Sequence, residues 1–125
     1  MTESQHITLR ELQRRVKSAL EGQFALPLWV SAEISEIKVN YSGHCYLELV
    51  EKGGDNGVPT AQARAVVWRS NYPRIAGYCE AETGQRLAAG IKILAKALVT
   101  YHELYGFSLQ ITDIDPTYTL GDMER

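Results

Sequence analysis

Tyr41-Ser42-Gly43-His44-Cys45-Tyr46-Leu47-Glu48-Leu49-Val50-Glu51-Lys52 decides how this chain is read. Ser42-Gly43 is a turn signal, and a strand pattern follows it at once. Cys45, Leu47 and Leu49 fall on one face, while His44, Tyr46 and Glu48 fall on the other. That alternation describes a strand at 44–51 with one side on a core and one side open to water or to a polymer.

Working outward, the residues before the turn alternate as well. Leu28, Val30, Ala32 and Ile34 oppose Trp29, Ser31, Glu33 and Ser35, and then the phase slips, because Ile37 and Val39 are apolar where Glu36 and Lys38 are not. A long strand that changes phase predicts a bulge, as a barrel strand needs when it bends between two halves. Gly53-Gly54-Asp55-Asn56-Gly57 reads as a flexible hairpin loop closed by Pro59. A third strand is expected at about 61–69, with Ala63, Ala65 and Val67 on one face and Arg64, Val66 and Trp68 on the other. The pattern alone leaves open which face is inner.

Asn71 is read as the cap of a short helix that tolerates Pro73 in its first turn, carries Ile75, Tyr78 and Cys79 as its stripe and ends at Gly84. A fourth strand is expected at about 90–102, from the alternation of Ile91, Ile93, Ala95, Ala97, Val99 and Tyr101. Leu104-Tyr105-Gly106 reads as a hairpin tip, and a fifth strand follows at about 107–115 until Pro116. At the other end, residues 1–7 read as a frayed start. Thr8 and Glu11 form a capping box for a helix with Leu9, Leu12, Val16, Ala19 and Leu20 at helical spacing, ending at Gly22. The expected class is mainly β. A five-stranded barrel with an N-terminal helix and a short helix between strands three and four is the oligonucleotide/oligosaccharide-binding (OB) fold.

Its 125 residues, 45% apolar and 22% charged, fit one compact domain plus tails. The net charge is −2, with 13 Lys and Arg against 15 Asp and Glu. Any basic patch must therefore arise by sorting charges in space. The face of the first helix carrying Arg10, Arg14 and Lys17 is read as a solvated face. The 2 cysteines form no CxxC pair. No leader or membrane-spanning run is seen, so a cytoplasmic protein is expected, with a disulfide disfavoured by that compartment.

Catalytic and metal chemistry find little support. His44 and Cys45 are neighbours in a strand and point to opposite faces, and no spacing matches a zinc site. Asp113-Ile114-Asp115 sets two carboxylates on one strand face, an arrangement read as a solvated strand end rather than a cation site. The glycine loop lacks the Lys-Ser/Thr of a phosphate loop, and no serine sits in a nucleophile elbow. No catalytic residue, metal or cofactor is expected.

Rings and cations are better represented. Lys38, Tyr41, His44 and Tyr46 cluster around the first inter-strand turn. Arg64, Trp68 and Arg69 belong to the third strand, with Tyr72 and Arg74 after it. Lys96, Tyr101, His102 and Tyr105 come from the fourth strand and its hairpin. Aromatic faces beside cations suit a single-stranded nucleic acid, whose bases stack without sequence readout. Trp68 and Tyr101 can equally serve as core residues. Expected contact residues are Lys38, Tyr41, His44, Tyr46, Arg64, Arg69, Lys96 and Tyr105.

Five segments also carry a family resemblance: Leu9-Arg10-Glu11-Leu12, Val30-Ser31-Ala32-Glu33-Ile34-Ser35, Ser42-Gly43-His44-Cys45-Tyr46-Leu47, Arg64-Ala65-Val66-Val67-Trp68-Arg69, and His102-Glu103-Leu104-Tyr105-Gly106-Phe107-Ser108-Leu109. In this order and spacing the chain resembles, over nearly its whole length, the amino-terminal domain of the exodeoxyribonuclease VII large-subunit family. The resemblance implies an OB domain that binds single-stranded DNA and guides it to a nuclease domain later in the large subunit, with small helical subunits completing the complex. It implies a parent hydrolase whose catalytic region lies outside these residues, so that this segment has no activity of its own. It also divides the chain into a helical extension at 1–26, the OB domain at 27–117, and a linker at 118–125 that is cut short of the nuclease domain. The chain departs from the family in having Glu36 where many members have Asn, and in a longer loop at 53–59. Two other readings remain: a module that mainly docks protein, and an RNA-binding OB domain of the anticodon-binding type.

Overall fold

The computed structural model describes residues 5–53 and 56–124. Along the chain run α1 (Leu9–Gln23), β1 (Leu28–Val39), β2 (Cys45–Lys52), β3 (Pro59–Val67), α2 (Tyr72–Thr83), β4 (Lys92–His102), β5 (Gly106–Ile114) and α3 (Pro116–Met123). The strands close into a barrel in the order β1-β2-β3-β5-β4. All pairings are antiparallel except β3 with β5, which is parallel and short, matching Ala65 with Leu109 and Val66 with Gln110. This is the five-stranded OB architecture the strand pattern predicts.

The phase slip in β1 is a bulge. Its register against β2 shifts between Ile34 and Glu36, just where the strand leaves β4 and continues along β2 alone. One strand can thus serve two neighbours, because the bulge turns its apolar face with the barrel wall. Inside lie Ile34, Leu47, Leu49, Val67, Ile93, Ile111 and Ile114, all nearly or fully buried. Ala65, Ala95 and Ala97 fill the narrow positions between them, since a small barrel accommodates large side chains only where their neighbours are small. The open question about β3 is settled by this core: Ala63, Ala65 and Val67 face inward, and Arg64 and Trp68 outward.

Ile75 of α2 enters the same core, so this helix plugs one end of the barrel. Gly84 ends α2 in the left-handed region at φ 74°, as a C-terminal glycine should. At its start the expected side-chain cap is missing. Asn71 makes no such bond, and its backbone carbonyl accepts from Ile75 N–H instead. Tyr78, assigned to the apolar stripe, is exposed. Cys45 and Cys79 are free and buried. Burial pushes the Cys45 thiol up to about 11, and it raises Cys79 as well.

Three further features differ from the sequence reading. Gly22 does not end α1, which runs to Gln23. Only half of the capping box forms: Thr8 Oγ1 accepts from Glu11 N–H at 3.1 Å, while the Glu11 carboxylate turns to Arg15 instead. Most of the segment expected to be a linker is α3. Asp115 caps it by accepting from Thr117 N–H at 3.0 Å, and buried Thr119 donates to the Lys92 carbonyl at 2.8 Å. Pro116 therefore begins a helix as well as ending a strand. Of the loop at 53–57, Gly54 and Asp55 lie outside the described residues, as do residues 1–4 of the expected frayed start. No described helix is long and apolar enough to cross a membrane.

Candidate functional site

The β1–β2 turn is built around Asn40, a residue whose role the sequence reading missed. Its side-chain oxygen accepts from both Ser42 N–H and His44 N–H at 3.0 Å, while Gly43 N–H bonds the Asn40 carbonyl at 2.9 Å. This is the Asx-turn chemistry that makes Asn a turn residue. Gly43 adopts φ 91°, and a Cβ there would sit 3.3 Å from the Cβ of Arg69, so both conformation and space call for glycine. Tyr41 is left fully exposed at the tip.

His44 is fixed next. Its Nδ1 accepts from the Arg69 backbone N–H at 3.0 Å, and its ring meets Trp68 edge-on with centroids 5.0 Å apart. The turn thereby joins the end of β3. In its neutral form the imidazole carries its proton on Nε2, because Nδ1 is the acceptor.

A groove of about 670 Å³ runs over the outer face of β1, β2 and β3, lined among others by Glu36, Lys38, Tyr46, Glu48 and Arg64. Strand register explains the grouping. Lys38 pairs with Tyr46 and Glu36 with Glu48, while Glu48 also pairs with Arg64, so all five share one side of the sheet. A second groove of about 580 Å³ adjoins it, lined by Trp68, Tyr101, His102 and Tyr105, and by Lys17 and Glu21 of α1. Tyr46 and Arg64 line both, so the two grooves adjoin at these side chains and outline a candidate path.

The far wall is the β4–β5 hairpin. His102 stacks on Tyr105 with ring centroids 4.7 Å apart, and its Nδ1 accepts from Leu104 N–H at 3.0 Å. The Arg64 guanidinium donates to the Tyr105 carbonyl, linking β3 to the hairpin across the parallel seam. Helix α1 is tied on by polar contacts: Tyr101 OH donates to Gln13 Oε1, and Lys17 pairs with Glu103 at 3.6 Å. A bond from its own backbone N–H, aided by Lys17 and His102, holds the Glu103 carboxyl below its usual range.

Lys38, Tyr46, Arg64 and Tyr105 thus line two adjoining grooves; Tyr41, His44 and Arg69 line neither, and His44 touches them only through the ring of Trp68, while Arg69 donates its backbone N–H to His44. Lys96 does not join them. It pairs with Trp29 on one side and Asp113 on the other and lines neither groove. Arg74 is engaged elsewhere, donating to the Thr112 carbonyl at 2.9 Å and pairing with Asp113 at 3.4 Å. Tyr72 is half-buried on α2, and burial raises its hydroxyl. Asp113 and Asp115 are separately engaged, by Arg74 and by the α3 cap. Among the described residues no group of His, Cys, Asp and Glu could hold a metal ion. Cations and carboxylates line the grooves together, Lys17, Lys38 and Arg64 beside Glu21, Glu36 and Glu48, among the rings of Tyr46, Trp68, Tyr101, His102 and Tyr105.

Comparison with known proteins agrees with the barrel fold. The profile of the OB-fold nucleic acid binding domain family matches residues 7–115. The chain is 38% identical over 94% of its length to a protein named exodeoxyribonuclease 7 large subunit from Deinococcus radiodurans. Proteins of the same name from Nitrosomonas eutropha and Nitrosomonas europaea are 37% and 33% identical over 81% and 83% of the chain. The chain spans 29%, 19% and 20% of the length of these three relatives.

Proposed function

Because this chain belongs to the OB-fold nucleic acid binding domain family, we propose that it binds single-stranded DNA along the Tyr46–Arg64 path. It acts without catalysis of its own and delivers the strand to a nuclease region of a longer large subunit. The relatives' name supports the nuclease context. The observation that supports the reading is that Tyr46 and Arg64 line both grooves, which brings the rings of Trp68 and Tyr105 and the cation of Lys38 to adjoining surfaces. Bases stack on the exposed rings, and Lys38, Arg64 and Arg69 meet phosphates. Glu36 and Glu48 lie between the cations and keep the electrostatic contribution small.

Titration of labelled oligothymidylate, followed by anisotropy, tests this. Tyr46→Ala should weaken binding by about 1–3 kcal/mol, the worth of one stacked base. Three phosphate contacts correspond to a slope of log K against log salt of about −2. A preference for duplex, or no binding at low salt, refutes the proposal. Tighter binding of matched RNA would favour an anticodon-type module instead.

One observation favours a second reading. No residue of α1 is buried, and Leu9 and Leu12 on its apolar side are exposed, as are Phe24 and Leu26 after it. That surface suits protein docking, whether to the rest of the large subunit or to small subunits. If Leu9→Ser/Leu12→Ser spoils assembly, and Tyr46→Ala and Arg64→Ala leave oligonucleotide affinity intact, the docking reading wins.

A further inference from the structure

We infer that α1 is part of the nucleic-acid track, adding a phosphate-binding rail formed by Arg10, Arg14 and Lys17. The inference rests on the proposed binding function and extends it to a surface that the sequence reading treats as merely solvated. At 3.6 residues per turn, positions 10, 14, 17 and 21 fall on one helix face. Lys17 and Glu21 line the second groove. The face that carries Arg14 and Arg10 is therefore the groove-facing one, and the row continues the groove wall outward by about 10 Å from Lys17 to Arg10.

The cations on the helix differ in their engagement. Arg15, off this row, pairs with Glu11 at 3.4 Å, and Lys17 pairs with Glu103 at 3.6 Å. Arg10 and Arg14 are exposed and make no ion pair among the described residues. The helix that holds them is fixed to the hairpin by the Gln13–Tyr101 and Lys17–Glu103 contacts, although it contributes nothing to the core. A helix placed by polar ties against a groove, with two uncompensated guanidinium groups on the groove side, is suited to strand backbone leaving that groove.

The test uses the 125-residue chain with fluorescein-labelled oligothymidylates of about 6 and about 16 nucleotides, lengths within the range one OB domain covers. In Arg10→Gln/Arg14→Gln, affinity for the longer oligomer should fall roughly tenfold at low salt, and its salt slope should shrink by about 1.4, the share of two phosphate contacts on a single strand. Affinity for the shorter one should be unchanged, and Arg10→Lys/Arg14→Lys should restore most of the loss. If the Gln variant binds both lengths with wild-type affinity and slope, or loses affinity for both equally, the rail is refuted and the groove reading survives. Failure of the unmodified chain to bind either oligomer overturns the groove reading and the rail together.

Discussion

Replacing Asn40 by Ala removes two hydrogen bonds at once and nothing else of comparable size. The Asn40 side-chain oxygen accepts from Ser42 N–H and His44 N–H, each at 3.0 Å in a half-buried turn. At about 0.5–1.5 kcal/mol net per bond, the loss is about 1–3 kcal/mol. For a chain of this size that corresponds to a drop in melting temperature of roughly 3–15 °C. Urea unfolding followed by circular dichroism reads it directly, with the slope m unchanged because the core is untouched. Asn40→Asp is the informative partner variant. It keeps the acceptor oxygen, and so keeps the stability, but places a carboxylate beside Tyr41 and His44, so oligonucleotide affinity falls while folding does not. Should Asn40→Ala unfold within about 0.5 kcal/mol of the parent chain, the turn is not held by this side chain and the placement of Tyr41 and His44 needs another cause.

The thiol of Cys45 supplies a pH dependence. Its folded value of about 11 lies above the ordinary 9.0, so the folded state keeps a proton that the unfolded chain releases. Stability present below pH 9 is lost as pH rises through 11, by on the order of 2–3 kcal/mol. Cys45→Ala should flatten that part of the pH–stability curve, and a native chain that reacts promptly with a thiol reagent at pH 8 would contradict the burial. Thr119→Val deletes the donor that buried Thr119 gives to the Lys92 carbonyl, a part-buried bond, which should cost about 0.5–1.5 kcal/mol in chemical denaturation. Ile75→Ala empties the plug of the barrel and should cost about 2–5 kcal/mol, with a loss under 1 kcal/mol showing that α2 does not close that end.

The barrel was legible because burial on one side of each strand leaves a period-two trace. Even the β1 bulge appears in sequence as a slip from Ile34 to Ile37, since the apolar face must follow the curving wall. Register between distant strands leaves no such trace. Lys96 belongs in sequence to the same strand as Tyr101, yet its pairing with Trp29 and Asp113 sets it apart from the groove. The helix at 116–123 was missed for a related reason: its hold is tertiary, through Thr119 on Lys92 and Asp122 beside it at 3.6 Å, and leaves no apolar stripe. Asn40 was overlooked because Ser42-Gly43 marks the turn, while the residue that organises it stands two positions earlier.

The parallel pairing of β3 with β5 is the narrowest part of the barrel's circumference, two residue pairs wide. The Arg64 guanidinium crosses it to reach the Tyr105 carbonyl. That bond uses one of the five N–H donors of a side chain that also lines both grooves. On the proposed function one side chain thus has two tasks, holding the seam through Tyr105 and meeting a bound strand from outside. If the two tasks are coupled, amide exchange at Val66, Leu109 and Gln110 along that seam should change when oligonucleotide is added.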